Sequence, residues 1–126
     1  MALYDSDVII WYTRGYRPAG ELLNADTAVS LSVVTLLETY QGARNARDLL
    51  YLRGEIPKLV KTIYPLTPAI SARALEICAA YNLQVALSVA DCLIAATALE
   101  HGVTLVTDNL KHFSVIRDLR LQTFKV

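Results

Sequence analysis

This sequence predicts an α/β fold, a parallel central sheet flanked by helices on both faces, and three observations carry that expectation. Of its 126 residues, 54% are hydrophobic, enough to fill a core on each side of a sheet. Short β-rich runs alternate with helical stretches of ten or more residues, the order of βαβ units. Residues that start and stop helices stand between those runs.

The elements follow in order. Ala2-Leu3-Tyr4 is a short apolar run; Asp5-Ser6-Asp7 turns the chain into Val8 to Tyr12, which ends at Arg14-Gly15, so strand, turn and helix are predicted. Ala28 to Val33 is β-rich, and Thr35 is suited to cap a helix through Gly42. Asn45 to Arg53 and Lys58 to Ile63 predict two helices separated at Gly54 and Pro57. Thr67-Pro68 supplies a cap and a first-turn proline for a helix to about Tyr81, and Ser88 caps another that ends at His101-Gly102. Val103 to Val106 is a strand, Asn109 to Phe113 a short helical turn, and Leu121 to Phe124 a last strand. The length is that of one domain, so residues 1–126 are expected to form a single one.

Composition excludes several classes of function. The longest uncharged stretch, Ile77 to Ala90, is 14 residues, short of the roughly 18 that a membrane span needs. No basic region or cleavage site opens the chain, so a cytoplasmic protein is expected. Cys78 and Cys92 both lie in apolar helical patterns and are expected to be small buried thiols rather than a disulfide or zinc ligands. Twelve Lys and Arg balance twelve Asp and Glu, so net charge gives no sign of a nucleic-acid binder. If four acids gather around a cation, however, the remaining bases outnumber the remaining acids and the surroundings attract phosphate.

Four acids hold comparable positions. Asp5 follows the first strand, Glu38 follows the second, Asp91 stands in the first turn after Ser88, and Asp108 follows the strand ending at Val106. The carboxyl ends of parallel strands form the ligand crevice of open α/β sheets. Each acid also has a plain structural explanation. Thr35-x-x-Glu38 and Ser88-x-x-Asp91 both fit a capping box, and Asp5 and Asp108-Asn109 are ordinary turn residues. The set says more than its members: Glu38 is the only charged residue from Thr27 to Ala43, and Asp91 the only one from Ile77 to Leu99. Carboxylates brought together stay ionised only when something positive holds them, and a hard divalent cation fits the oxygen ligands. Mg²⁺ or Mn²⁺ held this way serves phosphate chemistry, so a metal-dependent phosphodiesterase or phosphatase is the expectation.

Three segments carry a resemblance to the PIN-domain nucleases, and within them to the VapC-type toxins of toxin–antitoxin pairs. "YDSDVIIW", from Tyr4 to Trp11, resembles the family's opening of aspartate, hydroxyl residue, then Asn or Asp before an apolar helix. "SVVTLLETYQGA", from Ser32 to Ala43, is similar to its second acidic segment, and "LSVADCLIAATALEHGVTLVTDNLKHF", from Leu87 to Phe113, to its third acid and closing strand and turn. By that resemblance Asp5, Glu38 and Asp91 take the positions of the core metal-site acids. Asn109 stands where many members carry a fourth acid, and Asp108 is one residue early. Asp7 stands in place of a frequent Asn and is expected to orient or hydrogen-bond near Asp5. Ser6, Arg14, Thr107 and Lys111 are weaker candidates for substrate contact; Arg14 and Arg17, with Tyr16 between them, and Lys111-His112 are candidates to reach phosphates, although solvated loop residues are the plainer expectation for them. The resemblance implies a homodimer that cleaves RNA, tRNA or ribosomal RNA above all, and a cognate antitoxin that covers the site.

Two other readings compete. A PIN-like module that binds RNA or a partner without cutting draws support from Asn109. "ALYDSDV" also resembles the Asp-x-Asp opening of haloacid-dehalogenase-type phosphatases, whose first Asp is a nucleophile and second a general acid; that reading leaves Glu38 and Asp91 without a role.

Overall fold

The computed structural model describes residues 1–126. Five strands, β1 (Ala2–Tyr4), β2 (Val29–Ser32), β3 (Thr62–Tyr64), β4 (Thr104–Thr107) and β5 (Leu121–Thr123), form one sheet in the order β3-β2-β1-β4-β5. Every pairing is parallel. The helices are α1 (Ser6–Thr13), α2 (Arg17–Ala25), α3 (Val33–Gln41), α4 (Ala46–Leu59), α5 (Pro68–Tyr81), α6 (Val89–His101) and α7 (Leu110–Phe113).

Successive residues of a strand point to opposite faces, and this alternation makes two cores. Leu3 and Leu105 face one way, packing with Ile70, Ala74 and Ile77 of α5, with Cys92 to Ala98 of α6, and with Phe113. Tyr4 and Val106 face the other way and pack with Val8 and Ile9 of α1, Ala19 and Leu23 of α2, and Ile56 of α4. Helices therefore cover both faces, as the composition predicts. The strand order reverses at β1, with β2 on one side and β4 on the other, so a switch point opens between the carboxyl ends of β1 and β4.

The structure corrects three local expectations and adds one helix. Ser32, not Thr35, caps α3 by accepting the Val34 N–H at 3.0 Å, so Glu38 stands in the second turn and the Thr35/Glu38 capping box does not form. The chain from Asn45 to Leu59 is one helix, because Leu52 and Ile56, four residues apart, bury the same face and outweigh Gly54 and Pro57. Lys58 to Ile63 is not a helix: the Lys61 N–H bonds to Val29 O at 2.8 Å and leads into β3, whose β-branched Thr62 and Ile63 pair with Ser30 and Leu31. Arg17 to Ala25, for which the sequence predicts no element, forms α2, with Pro18 in its first turn and Ala19 and Leu23 buried.

The segment with least charge is also less buried than its composition suggests. Cys92 is in the core, but Cys78 is exposed, contrary to the expectation of two buried thiols. Leu75, Leu83 and Val89 are 74%, 99% and 78% exposed, which leaves an apolar surface along α5 and the start of α6. No helix is long and apolar enough to cross a membrane.

Candidate active site

Asp5 ends β1 at the switch point. Its backbone N–H extends the β1–β4 ladder to Val106 O at 2.9 Å, and its side chain caps α1 by accepting the Ser6 N–H at 2.8 Å. The other carboxylate oxygen accepts the Thr107 hydroxyl at 2.8 Å, across 102 residues of sequence. Thr107 in turn accepts the Asn109 N–H at 2.9 Å, so one hydroxyl joins β1 to the turn after β4.

The carboxylate of Asp5 is buried, and burial, with the neighbouring charge of Asp7, pushes its pKa up to about 7. The bonds from Thr107 and Ser6 oppose that rise, and the charge of Asp91 adds to it. A buried acid held on the edge of ionisation is the kind of group that collects at functional sites. Asp7 is raised as well, chiefly by burial, although its carboxylate accepts the N–H of Val8 at 2.7 Å and of Asp108 at 2.8 Å. Asp7 thus ties α1 to the turn after β4, the orienting part the sequence suggests for it.

Glu38 reaches the same place from α3. Ser6 donates its hydroxyl to Glu38 Oε1, so the residue after Asp5 holds the second acid. Thr35, one turn before Glu38 on the same helix face, carries the only buried side-chain polar atom without a partner. Asp91 forms the capping box the sequence predicts: Ser88 accepts the Asp91 N–H at 3.0 Å, and Asp91 Oδ2 accepts the Ser88 N–H at 3.2 Å. Replacing Ser88 with Ala removes half of that box and is expected to cost about 1 kcal/mol. Urea unfolding of the two proteins at one pH measures it.

His112 completes the cluster and was only glimpsed in the sequence as a phosphate-side residue. Its Nδ1 lies 2.9 Å from Asn109 Nδ2 and 3.8 Å from Asp91 Oδ2. Asn109 and His112 are thus hydrogen-bonded side chain to side chain, and the Asp91 carboxylate faces the same ring nitrogen. Only its i, i+3 spacing from Asn109 would have signalled this in advance.

Among the predicted residues, then, Asp5, Ser6, Glu38, Thr107 and Asn109 are linked by hydrogen bonds directly or through one neighbour, and Asp91 joins through its charge and His112. Asp108 contributes its backbone, while its side chain is exposed. Lys111 and Arg14 are exposed, and Arg14 lies at the far end of α1, its guanidinium 5.9 Å from the centre of the Trp11 ring. No three acidic, His or Cys side chains converge closely enough to ligate one ion as they stand. The donor chemistry nevertheless fits a hard divalent cation: oxygens only, one of them on a buried acid whose charged form lacks a cationic partner, with an unpartnered buried hydroxyl at Thr35 on the helix that carries Glu38. The thiol of Cys92 faces the core, where burial pushes it up to about 11, and plays no such part.

A parallel five-stranded sheet with acids gathered at its switch point defines a class, and the match to known families agrees: the PIN domain model covers residues 2–119. The chain belongs to the PIN-domain family, in its VapC-type branch. It is 32% identical to Ribonuclease VapC10 of Mycobacterium tuberculosis, over 95% of this chain and 91% of that protein. Its structure is similar to a toxin-antitoxin complex from Klebsiella pneumoniae (TM-score 0.83, 26% identity, 100% of both chains). It is also similar to FitAcB from Neisseria gonorrhoeae (TM-score 0.80, 25% identity, 96% of both chains).

Proposed function

We propose that this protein is the toxin of a toxin–antitoxin pair, an endoribonuclease that cleaves phosphodiester bonds in RNA with Mg²⁺ or Mn²⁺ held by Asp5, Glu38 and Asp91. The observation that carries the reading is the buried Asp5 carboxylate at the switch point, raised to about 7, with Glu38 hydrogen-bonded to the adjoining Ser6 and the charge of Asp91 adding to that rise. Relationship to a ribonuclease of the VapC type supports RNA as substrate. A divalent cation bound there activates water and offsets charge on the phosphoryl oxygens.

The chain's own residues set the stage for that chemistry. Thr107 and the Ser6 N–H fix the orientation of Asp5, and Ser6 fixes Glu38. Asp7 clamps the turn that carries Asn109. Asn109 holds His112 next to Asp91, so the fourth position supplies an amide for positioning in place of a ligand, and one ion is expected.

An antitoxin partner is proposed because similar structures are toxin-antitoxin complexes. A homodimer is proposed on the exposed Leu75, Leu83 and Val89, and the cytoplasm as its location. Asn109 favours the rival reading, a binding module that does not cut. The phosphatase alternative needs a free general acid at Asp7, whose two oxygens accept backbone N–H groups.

The test is to incubate purified protein, free of antitoxin, with total tRNA and ribosomal RNA in Mn²⁺, Mg²⁺ or EDTA, and to map new ends. Discrete cuts that EDTA abolishes are expected. RNA bound but uncut under every condition would favour the binding module.

A further inference from the structure

A second polar feature lies away from the acids. Ile10, Thr13 and Arg14 of the end of α1, Thr39 and Gly42 of the end of α3, and Arg44 beyond it line a groove of about 570 Å³, closed by Asp48 and Leu52 of α4. Thr13 and Thr39 spend their hydroxyl protons on carbonyls of their own helices, Ile10 O at 2.7 Å and Thr35 O at 2.8 Å. The cationic residues of the lining are Arg14 and Arg44, with Asp48 of α4 its one acidic residue. Arg14 has no hydrogen-bonded acceptor, and Arg44 gives only its Nε–H to Asp48 Oδ2, at 3.4 Å, leaving both terminal nitrogens free.

The fork of Arg14 and the terminal nitrogens of Arg44, whose Nε is paired with Asp48, match the geometry of phosphate oxygens. The groove also continues from the acids: Thr39 follows Glu38 in α3, and Thr13 is seven residues beyond Ser6 in α1, about 10 Å at 1.5 Å per residue. At roughly 3.4 Å of rise per nucleotide, that is two to three nucleotides of one strand. A protein segment would need apolar anchors, and this groove offers only Ile10 and Leu52, the latter buried.

We infer that this groove is a phosphate-binding subsite for single-stranded RNA, in which Arg14 and Arg44 hold the strand two to three nucleotides from the carboxylates. The inference rests on the ribonuclease reading for its substrate but not for its test. Gly42 gives a second lever. A Cβ there meets only Glu38 O at 3.5 Å and Thr39 O at 3.6 Å, ordinary contacts, so a leucine at 42 fills groove space without altering charge.

Binding of a fluorescent 2′-O-methyl RNA 12-mer, which resists cleavage, is measured by anisotropy in EDTA over a range of KCl concentrations. The double variant Arg14→Ala/Arg44→Ala is expected to bind about tenfold more weakly, with the salt slope reduced by about 1.4, the share of two phosphates. Gly42→Leu is expected to weaken binding severalfold, while Arg117→Ala, exposed and outside the groove, matches the wild type. Thermal melting checks that each variant is folded. Variants that bind within twofold of the wild type, or a wild type that does not bind, would overturn the inference. So would unchanged RNA binding together with lost binding of poly-glutamate, which would make the groove a seat for an acidic protein segment. A wild type that binds RNA in this groove but never cuts it in Mn²⁺ or Mg²⁺ overturns the ribonuclease reading alone.

Discussion

Asp5→Asn is expected to abolish RNA cleavage, by a factor of about 10³ or more, and at the same time to stabilise the metal-free protein at neutral pH. Loss of activity follows from removing the buried member of the proposed cation site. The gain in stability follows from linkage. In the folded protein the acid titrates near 7, above its unfolded value near 3.9, so the native state holds the proton more tightly. Its contribution is fully present below pH 4 and is lost as pH rises through 7, on the order of 4 kcal/mol in all. The asparagine carries no charge and still offers an oxygen to the Ser6 N–H. In EDTA, urea unfolding at pH 5 and pH 8 should show wild-type stability falling relative to the variant across that interval. A constant difference between the two proteins would mean that Asp5 is not buried as an acid.

The second large effect concerns packing. Phe113 is fully buried in the core formed with Leu105 and α6, and it ends the short helix that begins after Asn109. Phe113→Ala is expected to destabilise the protein by about 3–5 kcal/mol. It also releases the turn that carries Asn109 and His112, so activity should fall more than the unfolded fraction accounts for. Chemical denaturation beside cleavage by the remaining folded protein separates the two losses.

Much of this architecture was legible because its signals are local. Ser88-x-x-Asp91 and Thr67-Pro68 each name a helix start, and Leu3-Tyr4 and Leu105-Val106 pair apolar residues that a covered sheet sends to opposite faces. The misreadings came where tertiary contacts override local preference. Pro57 and Gly54 suggest a break, yet burial of Leu52 and Ile56 carries α4 through both. Thr62 to Tyr64 is too short to declare itself and becomes a strand by pairing with β2. Thr35 and Ser32 are equally good caps on paper; the end of β2 decides for Ser32.

The candidate site was legible as a list of acids and not as an arrangement. Two solitary carboxylates in apolar segments drew attention to Glu38 and Asp91, but the deeply buried acid is Asp5, because it sits where the strand order reverses. The bonds that join the acids, Thr107 to Asp5 and Ser6 to Glu38, span 102 and 32 residues, and no local pattern announces them. Asn109 reads as a weakened ligand in the sequence; in the structure its side chain is hydrogen-bonded to His112.

The proposed cation site joins acids from three separate segments, Asp5, Glu38 and Asp91. Calorimetric titration of Mn²⁺ into the wild type and into Asp5→Asn, Glu38→Gln and Asp91→Asn tests it most directly. One ion per chain in the wild type, with affinity reduced at least about tenfold in each variant, is the predicted result. Wild-type Mn²⁺ affinity in any one of the three variants would contradict a shared site.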